Sequence, residues 1–309
     1  MKNIEEILPV MVNAALLRGA RKYFEENGYT EILPPHITKA TGSCENMDTL
    51  FELDYFGKNA YLSQTSQLYL EAFVPELKKV YSVGPSFRAE PRADGRHLTE
   101  FTLVELEFDK GFNELLSEIE NVIISMVDEV IHDESIDINK NRLKLKKPFK
   151  RITYTRAVDE LKEFGVKWGD DLKSIHEKYL VEKHGGPIFI THFPREIKFF
   201  NMKVNEDDPR IVNSADLILP YSGEAVGAAE REYKVELVVE RIKESQMYKQ
   251  LKKRGGSIKD FEWYLNRLEE GSVPHSGCGI GLSRVSQFVM GYDDIRKSVA
   301  FPLNSETIY

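Results

Sequence analysis

Apolar positions recur at helical spacing from the start of the chain. Ile7, Val10, Met11, Ala14, Leu17, Ala20 and Phe24 predict a helix from Ile4 to Asn27, with Gly28 as its C-terminal stop. Tyr29 to Leu33 then reads as a short strand that ends at Pro34-Pro35, since neither proline can continue a central strand. Further strands are predicted at Ala60–Leu62, Lys79–Val83 and Phe101–Phe108, with a helix from Gln67 to Phe73. Asn113 is placed as the N-cap of a long helix reaching Ile131. The basic stretch from Lys140 to Arg151 reads as an exposed connection. Helices at Arg156–Phe164 and Leu172–Lys183 precede a strand at Pro187–Thr191. Strands at Ala215–Leu219 and Glu224–Arg231 lead into a helix at Tyr233–Ser245, and a last helix follows the glycine-rich run from Gly277 to Gly281.

Several of these strands are consecutive, and they outnumber the helices between them. The pattern predicts an α+β domain built on an antiparallel sheet rather than a doubly wound parallel one. No GxxxxGK[ST] or GxGxxG opens a helix after the first strand, which argues against P-loop and Rossmann nucleotide binding. At 309 residues, 41% hydrophobic and 30% charged, the chain can bury a substantial core. The net charge of −8 disfavours a protein whose main task is gripping a phosphate backbone. Cys44 and Cys278 stand far apart in no metal or disulfide spacing, which suits a reducing cytoplasm. No signal peptide is evident and no apolar run approaches the roughly 20 residues that span a bilayer.

Three polar constellations carry candidate chemistry. The densest is Phe87, Arg88 and Glu90, followed by Arg96, His97 and Phe101. On a strand Arg88 and Glu90 would share a face, Pro91 to Gly95 is turn chemistry, and Phe101, Leu103, Glu105 and Glu107 would share one side of the returning strand. Guanidinium forks for phosphate and a ring face for a purine suit ATP, although a solvated hairpin with surface ion pairs would read the same. The second is Gly277, Gly279 and Gly281 ahead of Arg284: alternate glycines clear one strand face, and a helix start with an arginine favours phosphate. Close packing with an exposed arginine is the alternative. Third, Asp216 and Glu224 on adjacent strands suit Mg²⁺, with Arg231 beyond. Glu224 and Arg231 are an odd number apart, so a bulge near Gly227 is needed for both to serve one site.

At these residues the sequence resembles the class II aminoacyl-tRNA synthetases, specifically the aspartyl/asparaginyl branch. Gly28 to Pro35 looks like the end of motif 1 (about residues 20–35), Phe87 to Phe101 like motif 2, and Gly277 to Arg284 like motif 3. The segments Gln64–Gln67 and Phe193–Lys198 add to the match, which covers almost the whole chain as one catalytic domain, 1–309. The resemblance implies that Arg88 bridges the ATP α-phosphate and the carboxylate under attack, stabilising charge without proton transfer. It implies that Phe101 and Arg284 sandwich the adenine, that Arg96 and His97 hold the β- and γ-phosphates, and that Asp216 and Glu224 hold Mg²⁺. Glu45 and Gln67 match positions that receive the α-amino group, Arg231 the arginine that reads the side chain, and Glu90 a position touching the side-chain amide. A homodimer through the motif 1 helix is implied as well. His275, ahead of motif 3, is a candidate substrate contact; Cys44 reads as a buried thiol, His192 as structural and Trp263-Tyr264 as helix core.

The sequence departs from the family at Leu70, where aspartyl enzymes carry lysine, at Ser283, where an acidic residue is usual, and at Ala229, where serine is common. These tilt the pocket toward the asparaginyl side. The motif 1 helix begins near Ile4, so an anticodon-binding barrel of roughly a hundred residues is not expected ahead of it, and tRNA binding is expected to be poor. The resemblance therefore points to stand-alone paralogues, the archaeal asparagine synthetase-related proteins. Such an enzyme would be an aspartate–ammonia ligase: it would form β-aspartyl-AMP from aspartate and ATP, and ammonia would release asparagine. The alternative is an aminoacyl transferase that adenylates the α-carboxylate of asparagine or aspartate; a non-catalytic sensor is the third reading.

Overall fold

The protein, seen in a computed structural model, is described over residues 4–39 and 47–309. Cys44 and Glu45 lie outside the described residues. The first helix, α1 (Ile4–Glu26), ends as expected: Gly28 takes φ +73° and Tyr29 N–H reaches back to the Phe24 carbonyl at 2.9 Å. The buried face of α1 is rotated from the expected one. Val12, Ala15, Leu16, Ala20 and Phe24 enter the core, while Ile7 and Val10 are 40% and 51% exposed. The helix has apolar residues on two faces, and periodicity cannot say which one meets the sheet. Gly19 decides it, because a Cβ there would overlap the Ser125 carbonyl and stand 2.7 Å from Met126 Cα.

Short strands β1 (Thr30–Glu31), β2 (Ile37–Thr38), β3 (Glu52–Tyr55) and β4 (Lys58–Leu62) follow. Only two residues of the strand expected at Tyr29–Leu33 pair, before Pro34-Pro35 ends it. The helix expected at Gln67–Phe73 stops at Glu71 (α2, Gln67–Glu71), and a separate short helix, α3 (Val74–Leu77), follows with Pro75 in its first turn. Next come β5 (Lys79–Phe87), β6 (Glu100–Phe108) and α4 (Phe112–His132). Gly111, not Asn113, occupies the N-cap of α4, and Asn113 lies inside the first turn. The rest is β7 (Lys150–Thr153), α5 (Tyr154–Glu160), α6 (Ser174–His184), β8 (Ile188–Thr191), β9 (Ser214–Leu219), β10 (Gly223–Glu230), α7 (Val235–Glu244), α8 (Gln246–Lys253), α9 (Glu262–Glu270), β11 (Ser276–Gly281) and α10 (Leu282–Met290).

Eight strands form the main sheet in the order β1-β5-β6-β11-β10-β9-β8-β7, antiparallel except for the parallel outer pairs β1/β5 and β7/β8. The α+β antiparallel architecture is as the strand pattern predicts. Alternation assigns its two faces. Val104, Leu106 and Phe108 of β6, Cys278 and Ile280 of β11, and Ala215, Leu217 and Leu219 of β9 point into a core shared with α1, α4 and α10. Residues between them face the other way. Across that front face one register row reads Glu105, Gly279, Gly227, Asp216, and the next reads Glu107, Gly277, Ala229, Ser214. Small residues thus floor a trough with carboxylates on its flanks. The strand bulge falls between Glu224 and Val226, slightly ahead of Gly227. A second core, from α7, α8, α9 and residues of α2 and β4, flanks the trough. No helix among the described residues is long and apolar enough to cross a membrane.

The α1–α4 contact gives a test of the fold. Gly19→Ala would gain about 1 kcal/mol of helix propensity, but overpacking against the α4 backbone costs on the order of 1–3 kcal/mol. Net destabilisation, read as a lower urea midpoint, is expected; a raised midpoint would mean that the helices do not meet at Gly19.

Candidate active site

The loop between β5 and β6 brings the cations of the first constellation together. Arg88 and Glu90 do not share a strand face, because both lie just past the end of β5. Arg88 is held instead by its own N–H, which donates to the Thr99 carbonyl at 2.8 Å, and its guanidinium lies over the Phe101 ring at 5.5 Å. Asp94 closes the loop by accepting from the N–H groups of Arg96 (2.8 Å) and His97 (3.1 Å), with His97 Nδ1 at 2.8 Å. Arg284, in the first turn of α10, donates from Nη1 to the Ser222 carbonyl and from Nη2 to the Arg96 carbonyl, each at 2.7 Å. Gly281 pairs with Leu103, so Arg284 starts near the Phe101 end of β6. Burial lowers the Arg284 pKa to about 10, and the neighbouring Arg96 and Arg88 act in the same direction. Ordinary solution pH still leaves it charged. A cluster of three arginines and a histidine above a ring is suited to a polyphosphate bearing a flat base.

The far end of the trough is a buried polar network. Arg231 Nε donates to both Glu107 oxygens at 3.1 and 3.2 Å, and Nη2 to Oε1 at 2.6 Å. Arg231 is 4% exposed and Glu107 1%. Burial pushes the Glu107 carboxyl up to about 7 against the pull of Arg231. Next to it, Glu105 accepts from Ser66 N–H at 2.7 Å and from the Thr65 hydroxyl, and burial raises its pKa too. Gln67, at the start of α2, donates to Glu71 at 2.7 Å, and Tyr264 O–H donates to the same carboxylate at 2.7 Å. His275 Nε2 stands 3.3 Å from Glu71. Burial opposes the ionisation of Glu71, but the contact with His275, with Arg231 and Tyr264 beyond, holds its pKa down; Glu71 in turn raises that of His275.

Asp216 and Glu224 lie on adjacent antiparallel strands, as expected, but Asp216 carries a cation already: Lys198 Nζ is 2.9 and 2.7 Å from its two oxygens. Among the described residues no group of three acidic, histidine or cysteine side chains converges into a metal cage. Mg²⁺ needs none, since one or two carboxylates complete its shell with water and substrate phosphate. Glu224 is exposed and faces the Arg284 cluster, so this donor set fits a phosphate-bound Mg²⁺.

Arg88, Arg96, His97, Phe101 and Arg284 therefore gather at one end of the trough, and Gln67, Arg231 and His275 at the other. Glu105 and Glu107 join them from the face of β6 that alternation assigned, and Lys198 from the segment Phe193–Lys198. Glu71, which accepts from Gln67 and Tyr264, and Glu177, whose carboxylate is 3.1 Å from Arg96 Nη2, are additions that no pattern in the sequence singled out.

A family model described as tRNA synthetases class II (D, K and N) matches residues 3–305. The asparagine–tRNA ligase of Thermococcus gammatolerans is 39% identical over 308 residues, covering 96% of this chain and 69% of the relative. That of Pyrococcus abyssi is 39% identical over 308 residues, with 96% and 68% covered. The crystal structure of asparaginyl-tRNA synthetase from Pyrococcus horikoshii complexed with asparaginyl-adenylate superposes with a TM-score of 0.90 at 36% identity, over all of this chain and 71% of that one. The asparaginyl-tRNA synthetase of Entamoeba histolytica in complex with asparaginyl-adenylate gives 0.86 at 32% identity, covering 98% and 68%.

The buried pair predicts a stability signature. Glu107→Ala leaves the Arg231 charge without a partner and should cost about 3–5 kcal/mol, whereas the double variant Glu107→Leu/Arg231→Met should cost far less. Equal losses in thermal unfolding for the single and double variants would show that the pair is not buried as described.

Proposed function

Because the chain belongs to the class II tRNA synthetases of the D, K and N group, we propose that it adenylates the α-carboxylate of asparagine with ATP and passes the asparaginyl group to a tRNA. The observation that carries this reading is the Arg231–Glu107 pair. Glu107 already neutralises Arg231, so the pocket end offers little net positive charge to a second carboxylate. The guanidinium has five N–H donors and keeps some for an amide oxygen. Glu105 and Glu107 supply acceptors for an amide N–H but repel the side-chain carboxylate of aspartate. A neutral side chain that both accepts and donates fits this end best.

In this reading Gln67, with Glu45, receives the α-amino group, and Arg231 reads the side chain with Glu105, Glu90 and His275 near it. The α-carboxylate then lies at Arg88. One of its oxygens attacks the α-phosphorus, the bond from that phosphorus to the bridging β-phosphate oxygen breaks, and pyrophosphate leaves. Arg88 stabilises the charge developing on the equatorial oxygens, an electrostatic role requiring no proton transfer. Phe101 and Arg284 hold the adenine between them, while Arg96 and His97 hold the outer phosphates. Mg²⁺, held at Glu224 and Asp216, would neutralise phosphate charge; Lys198 must then yield part of its hold on Asp216.

Aspartate–ammonia ligation draws less support. It would seat an aspartate α-carboxylate at Arg231, where Glu107 already takes the cation, and the relatives above carry the name of asparagine–tRNA ligase. The expectation of poor tRNA binding likewise draws no support from those names. A homodimer suits the apolar residues that α1 leaves outward, Ile7 and Val10, and Leu33 at 85% exposure.

Pyrophosphate exchange into ATP should depend on asparagine, and aspartate should substitute poorly. Formation of asparagine from aspartate, ATP and ammonium without asparagine-dependent exchange would overturn the proposal. Preference for asparagine should also narrow as the pH falls from about 8 to about 6. Protonation of Glu107, with its pKa raised to about 7, frees the charge of Arg231 for a carboxylate. The ratio of kcat/KM values across that range reads the effect, and a ratio that widens toward acid contradicts it.

A further inference from the structure

Glu177 belongs to α6, far in sequence from the three motifs, yet it ends inside the phosphate cluster. Its carboxylate is 3.1 Å from Arg96 Nη2, with side-chain exposures of 7% for the acid and 34% for the arginine. The pair rests on the start of β10. Gly223, its first residue, has φ +73°, and a Cβ on it would stand 2.5 Å from Glu177 Oε2 and 3.4 Å from Arg96 Nη2. From the same arginine the contacts continue. Its carbonyl accepts from Arg284, whose other nitrogen donates to Ser222, the residue before Gly223. Glu177, Arg96, Arg284, Ser222 and Gly223 thus make a closed ring through α6, the β5–β6 loop, α10 and the β9–β10 turn.

We infer that Glu177 is a positioning residue for ATP, holding the Arg96 guanidinium so that its remaining donors face the triphosphate. This rests on the adenylation reading above. Two effects of the carboxylate oppose each other: it orients a cation that binds phosphate, and it repels phosphate itself. Orientation wins for a physical reason. The Glu177 charge is partnered by Arg96 at hydrogen-bond distance and also acts on Arg284, so two cations of the cluster offset its repulsion of phosphate. An untethered arginine side chain, by contrast, must be ordered by the ligand at a cost in rotamer entropy. Arg96 uses only Nη2 on Glu177, which leaves Nε and Nη1 for phosphate.

The test uses the full chain and asparagine-dependent pyrophosphate exchange. Glu177→Gln should raise the KM for ATP about tenfold, the scale of one lost charge-assisted hydrogen bond, with kcat and the KM for asparagine within about twofold. Arg96→Ala, which removes the phosphate contact itself, should raise the KM for ATP at least as much, and the double variant should be no worse than Arg96→Ala alone, because Glu177 acts through Arg96. Thermal unfolding of each variant separates this from general damage, and Glu177→Asp supplies a milder change if the glutamine variant folds poorly. An unchanged or lower KM for ATP in Glu177→Gln, or multiplicative losses in the double variant, would overturn the inference. If the unaltered chain exchanges no pyrophosphate, the adenylation reading fails instead; calorimetric ATP binding by the same variants still reads the Glu177–Arg96 coupling.

Discussion

A buried charge must be paired, and the front of this sheet is organised by that requirement. Arg231, at the end of β10, can lie inside the protein only because Glu107 of β6 meets it from two strands away. The strand between them, β11, places Gly277 at that point, where any side chain would overlap the Glu107 carboxylate. The pair, the glycine and the register are therefore one constraint. With Gly279 and Gly227 in the neighbouring row, the same backbone becomes a trough open to a ligand, flanked by Glu105 and Asp216.

From that constraint the trough acquires two ends of different character. At one, three arginines outnumber the carboxylates beside them and keep spare donors, which is the chemistry of phosphate. Burial lowers the pKa of Arg284 there without discharging it. At the other, Arg231 and His275 meet Glu107, Glu105 and Glu71 in a buried polar network with no excess of positive charge. A zwitterionic amino acid with an amide side chain matches this division, its reacting carboxylate toward the cationic end.

Much of this was legible in the sequence because it is local. Alternation in β6 and β11 assigned the front face, Pro34-Pro35 and Gly28 marked breaks, and the odd spacing from Glu224 to Arg231 required the bulge that lies between Glu224 and Val226. What was not legible depends on distant partners. The buried face of α1 is chosen by the fit of Gly19 against α4, which no pattern within α1 encodes. Lys198 on Asp216, Tyr264 on Glu71 and Glu177 on Arg96 join segments 18, 193 and 81 residues apart. The resemblance made Arg231 a side-chain reader, but its pairing with Glu107 from two strands away is visible only in the structure.

The central claim is that the Arg231 end of the trough takes an amide while the α-carboxylate faces Arg88. Calorimetric binding of two non-hydrolysable sulfamoyl analogues tests it most directly, one mimicking α-linked asparaginyl-adenylate and the other β-linked aspartyl-adenylate. The account predicts that the asparaginyl analogue binds at least about tenfold tighter. Equal affinity, or tighter binding of the β-aspartyl analogue, would contradict it.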